Sequence, residues 1–85
     1  MKKLEIIEKL QKFITTELLQ NTEYDLAVDE ELFSTGTIDS FAIAQIGVFI
    51  ETEFDLYIPD TDLTVGNMDT VEQMADRIIS GLADD

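Results

Sequence analysis

Apolar residues return every three or four positions at both ends of this chain, and the stripes they draw predict its first and last helices. Leu4, Ile7, Leu10, Ile14 and Leu18, with charged residues between them, predict an amphipathic helix over residues 3–19 that Asn21 can end. Val71, Met74, Ala75, Ile78, Ile79 and Leu82 repeat the pattern near the C-terminus, where Thr70 followed by Gln73 reads as a reciprocal helix cap. Gly81 and Asp84-Asp85 predict fraying at the end. In the middle, Ile43, Ile46, Gly47, Ile50 and Phe54 predict a helix from about Ser40 to Phe54, capped by Asp39 or Ser40. Phe41 and Val48 lie one heptad apart on a different face of it. That surplus of apolar surface either docks a partner or is used inside the fold, with Phe41 tucked under the preceding loop.

The remaining segments read as connections. From Asn21 to Asp39 the chain is polar and acidic, anchored only by Leu26, Val28, Leu32 and Phe33; so long a loop in a small domain is expected to have a task. Phe54, Leu56 and Ile58 alternate, but Pro59 and the shortness of the run favour an extended connection over a strand. Asp60 or Thr61 is placed to cap a short turn of helix around Leu63. The expected fold is all-α, a small antiparallel bundle of three main helices plus one short helix, with residues 1–85 forming a single domain.

Composition narrows the chemistry. An 85-residue chain buries only a modest core, and this one has no His and no Cys, which removes the commonest general base, the protein thiol nucleophile and most zinc sites. Catalysis by the chain alone is not expected, and any thiol chemistry has to arrive on a cofactor. Nineteen acids against five bases give a net charge of −14, and only Arg77 is basic after residue 12. Nucleic acid and anionic membrane are therefore poor partners, while proteins with basic docking patches are good ones. No run of 18 apolar residues exists, and Glu5, Glu8, Lys9 and Lys12 interrupt any signal-peptide core, so a cytoplasmic location is expected. Asp60-x-Asp62-x-Thr64 begins like a calcium loop but fails at Val65, where the glycine is required, and no metal site is expected.

The most specific chemistry lies at Gly36-Thr37-Ile38-Asp39-Ser40-Phe41, which places a serine hydroxyl at the predicted start of the middle helix. Taken alone, Asp-Ser before an apolar run is an ordinary helix cap. In context it resembles the Asp-Ser-Leu attachment motif of the acyl carrier protein family, and Glu51-Thr52-Glu53-Phe54-Asp55-Leu56-Tyr57-Ile58-Pro59-Asp60 is similar to that family's Glu-x-x-Phe-x-x-x-Ile-Pro-Asp stretch. With Thr70-Val71 opening the last helix, the resemblance covers nearly the whole chain.

The resemblance implies that Ser40 accepts 4′-phosphopantetheine from coenzyme A through a separate phosphopantetheinyl transferase with magnesium. Asp39 would orient the serine and the metal in the transferase complex, and Gly36 would let the chain turn ahead of the helix. Acyl- or aminoacyl-activating enzymes and downstream acyl-transfer or condensing enzymes would then be the partners of a monomeric, non-catalytic carrier. The partner-facing residues implied are Phe41, Val48, Glu51 and Glu53, and those implied to line an acyl pocket are Gly47, Ile50, Phe54, Ile58, Leu63 and Met68. Gly47 stands where the family usually has valine, and Ala42 and Gln45 stand where fatty-acid carriers present acids. With Phe41 replacing the usual leucine, these departures point to a specialised stand-alone carrier. The alternative is an unmodified acidic helical adaptor that docks a basic protein groove through Phe41, Val48 and the acids around them.

Overall fold

Among the described residues the chain forms four α-helices: α1 (Lys3–Phe13), α2 (Ala42–Phe54), α3 (Val65–Met68) and α4 (Val71–Ala83). The structure is a computed structural model that describes residues 2–83. Three long helices and one short one make the small helical bundle expected from the sequence, and no strand occurs among the described residues. The Lys9–Glu53 ion pair (2.8 Å) and the Phe13–Phe49 stack (centroids 4.2 Å apart) join α1 to α2 with residue numbers running in opposite senses, so these two helices are antiparallel. Helix α4 packs on α1, and Lys3 reaches Asp76 at 2.9 Å across that contact. None of the helices described is long and apolar enough to cross a membrane.

The first helix departs from expectation in register and in its last turn. Ile6, Leu10 and Ile14 are fully buried, whereas Leu4 is 65% exposed and Ile7 only partly covered. Adjacent Ile6 and Ile7 make two stripes available, and packing selects the one through Ile6. After Phe13 the coil widens into a π-helical segment, Ile14–Leu18, in which the Leu19 N–H donates to the Ile14 carbonyl at 2.8 Å. Buried Thr15 donates its hydroxyl to the Gln11 carbonyl at 2.8 Å, a back-bond that satisfies the side chain at the point where the ladder changes pitch.

The connection after α2 ends the helix on Asp55, held in the left-handed region (φ 54°), and then runs extended with Leu56 and Ile58 buried and Tyr57 exposed. The single turn expected around Leu63 is two: a 3₁₀ turn at Asp60–Asp62 and α3 at Val65–Met68, capped in position by Pro59 and Thr64 rather than by Asp60 or Thr61. Gly47 explains how this connection lies so close to α2. A Cβ there would stand 2.8 Å from Leu63 Cδ1, so the glycine, at about 1 kcal/mol of helix propensity, admits the leucine. Helix α4 starts as predicted: the Gln73 N–H donates to Thr70 Oγ1 and the Thr70 N–H to Gln73 Oε1, both at 3.1 Å.

Candidate functional site

The loop between the π-helical segment and α2 is held down along its length. Leu26, Leu32, Phe33 and Ile38 are buried, Gln11 donates to the Leu26 carbonyl at 2.7 Å, and the Val28 carbonyl accepts the Glu72 N–H at 2.9 Å. That last bond satisfies a donor at the start of α4 that has no partner within the helix. The strongest fixture is Asp69, buried just ahead of α4. Its Oδ1 accepts the backbone N–H groups of Leu32 (3.1 Å), Phe33 (2.7 Å) and Ser34 (3.0 Å), and its Oδ2 accepts the Ser34 hydroxyl (2.6 Å). The Leu32 carbonyl then accepts the Ile38 N–H at 2.9 Å, which closes the loop immediately before Asp39 and Ser40.

At the end of this clamped loop Asp39 and Ser40 are both exposed. Asp39, not Ser40, is the side-chain cap: its Oδ1 accepts the Phe41 N–H at 3.0 Å, while its carbonyl accepts the Ala42 N–H at 2.9 Å. The Ser40 carbonyl takes the Ile43 N–H at 3.1 Å, and its hydroxyl is engaged by none of the described residues. The N–H groups of Phe41, Ala42 and Ile43 are thus taken by residues 39 and 40 and that of Ala44 by the Phe41 carbonyl, and helix α2 begins at Ala42, two residues later than expected. What α2 offers a group on Ser40 is the positive end of its dipole, not a set of unclaimed N–H donors. Gly36 takes a positive φ of 78° in the turn closed by its N–H and the Phe33 carbonyl (3.2 Å), the backbone role expected of it.

The partner-facing residues separate into two groups. Phe41 is 86% exposed and Val48 67% exposed, with Glu51 exposed one turn further along the same side; Phe41 is not tucked under the loop. Glu53 points the other way, into the ion pair with Lys9, and that hydrogen bond raises the Lys9 ammonium above its ordinary pKa. The residues implied for an acyl pocket are together but packed: Ile50, Phe54, Ile58 and Met68 belong to the buried core, with Gly47 and Leu63 at its margin. A groove of about 630 Å³ lies elsewhere, between α1 and α2, over Phe13 and Phe49, and none of those six residues lines it. Among the described residues no group of three carboxylates converges to hold a metal.

No protein-family model matches the chain, and no solved structure matches it. The site therefore rests on its own geometry: an unengaged hydroxyl at the mouth of α2, a capping carboxylate beside it and an apolar strip behind it. Sequence reading misses Asp69 and Ile38. Ile38 is signalled only by being the one apolar residue between Phe33 and Phe41, and Asp69 only by standing between buried Met68 and the Thr70 cap.

Proposed function

We propose that this protein is a stand-alone carrier: Ser40 is esterified by 4′-phosphopantetheine, and the thiol of that arm holds an acyl or aminoacyl group as a thioester for other enzymes. The observation that carries the reading is the exposed, unengaged Ser40 hydroxyl presented by a clamped loop directly behind the Asp39 cap. In the attachment step Ser40 Oγ forms a bond to the phosphorus that carries pantetheine in coenzyme A. The bond from that phosphorus to the adenosine bisphosphate breaks, and the hydroxyl proton passes to a base of the transferase. Asp39 keeps the serine backbone in register and stands beside it as a carboxylate able to face the transferase's magnesium. The dipole of α2 favours the phosphodiester anion left on Ser40.

The chain itself supplies placement, and the arm supplies reach, raising the effective concentration of the cargo at each partner. Phe41 and Val48 offer those partners an apolar patch whose centre can be desolvated, with Glu51 at its rim. Ala42 and Gln45 leave the adjoining turn without charge, which favours dedicated activating and acyl-transfer or condensing enzymes over those that select carriers by acidic residues there. The test is incubation with coenzyme A, magnesium and a broad-specificity phosphopantetheinyl transferase, followed by intact mass. One phosphopantetheine is expected on the wild type and none on Ser40→Ala. An unmodified wild type under conditions that load a control carrier would remove this reading and leave the acidic adaptor, docking through Phe41 and Val48.

A further inference from the structure

Leu63 sits where a side chain at position 47 would be. The two nearest atoms to a Cβ built on Gly47 are Leu63 Cδ1 at 2.8 Å and Leu63 Cδ2 at 3.4 Å, so the notch in α2 is filled by a side chain from another segment. Gly47 shares the inward side of α2 with Ile43, Ile50 and Phe54, all buried, and the residues behind them, Ile46 and Met68, are fully buried as well. Leu63 is only partly covered, and it comes from the irregular stretch between the 3₁₀ turn and α3. It is therefore a marginal piece of the apolar seam between α2 and the connection that follows, packed against the core but not enclosed by it.

We infer that Leu63, seated on Gly47, is a plug that closes this seam, so that the cargo class of the carrier is a short or polar acyl or aminoacyl group that rides in solvent. This inference rests on the carrier reading for its cargo, but the plug itself does not. An alkyl chain of several carbons gains by leaving water only if a place exists to receive it. Here the space beside Gly47 is already occupied by a residue of the protein, one that is itself only partly covered. A short or charged group has little apolar surface to shelter and loses nothing by staying outside. Removing the leucine side chain opens this partly exposed notch onto Gly47 and the buried apolar residues beside it on α2, giving a small apolar molecule a place to lie.

The plug is tested on the unmodified chain with n-hexanol as the probe, following the methyl resonances of Ile46, Ile50 and Met68. Leu63→Ala is expected to take up hexanol saturably, at least tenfold more tightly than the wild type, with shifts at those methyls. The double variant Gly47→Ala/Leu63→Ala, which gains a helix-favouring residue, is the second line should Leu63→Ala alone lose its fold, and it is expected to bind with intermediate affinity. Equal hexanol binding by wild type and variants, or no shift at the core methyls in any of them, overturns the plug. The cargo statement is then read from wild type and Leu63→Ala loaded with acetyl and octanoyl pantetheine. Octanoyl should move the core methyls and slow thioester hydrolysis several-fold in Leu63→Ala only. Octanoyl shelter in the wild type overturns it. Failure of Ser40 to be loaded at all removes the carrier reading and this cargo assignment with it, while the hexanol result still decides the plug.

Discussion

At Asp69 burial alone would push the carboxyl pKa up, yet the hydrogen bonds from Ser34, Phe33 and Leu32 outweigh it and hold the group below its ordinary 3.8. A carboxyl depressed in the folded state contributes stability that is fully present above its unfolded pKa and is lost as pH falls through the folded one. Asp69→Asn keeps the shape but removes the charge from these bonds, and bonds to a charged group are worth about 1.5–3 kcal/mol, so a loss of roughly that size is expected at pH 7. Urea unfolding of wild type and variant should show the gap closing as pH falls below the ordinary carboxylate range and through the depressed folded value. A gap that stays constant would mean that the carboxylate is not the fixture of the loop. This residue also marks the limit of sequence reading at its scale. Asp39 and Ser40 are legible because a cap and its helix are neighbours in the chain. The donors to Asp69 are backbone N–H groups some 35 residues away, and backbone groups carry no sequence signature.

Among the elements, α4 is legible at its start and along its buried side, because its apolar period and its Thr70–Gln73 cap agree, but the fraying expected at Gly81 does not occur: the helix runs through it to Ala83, and Asp84-Asp85 lie outside the described residues. Helix α2 is legible on its buried side, since Ile43, Ile46, Ile50 and Phe54 are all buried as expected. Its C-terminus is less so: Asp55 takes a left-handed conformation that nothing in Glu53-Phe54-Asp55-Leu56 announces. That geometry predicts a gain. Asp55→Gly should stabilise the protein by about 0.5–1 kcal/mol, since glycine adopts this conformation without strain and the change removes one acid from an overcharged surface. Thermal melting checks it, and a lower melting temperature would show that the Asp55 side chain has a compensating role. The first helix is the least legible, for two physical reasons. Ile6 and Ile7 offer alternative stripes of equal hydrophobicity, and the π-helical widening at Ile14–Leu18 depends on the packing around it, not on local propensity.

For the molecule as a whole, the excess of acid bears first on stability. Lys3, Lys9 and Arg77 are paired with acids of this same chain, and every acid from Glu17 onward faces its neighbours with Arg77 as the one basic residue in that stretch. Self-repulsion should therefore weaken the fold at low ionic strength, so the melting temperature should rise between ~10 and ~200 mM monovalent salt, and more steeply with divalent ions. A flat or falling curve would show that the acids are already balanced by structure. The same excess of acid suits a protein that moves between basic partners, but only the chemistry of one hydroxyl decides whether it moves a cargo. Intact mass and peptide mapping after incubation with coenzyme A, magnesium and transferase test that most directly. A single phosphopantetheine on Ser40, absent from Ser40→Ala whose helical circular dichroism is unchanged, is the predicted result. Modification at Ser34 or Thr37 instead, or none while a control carrier is loaded, would contradict it.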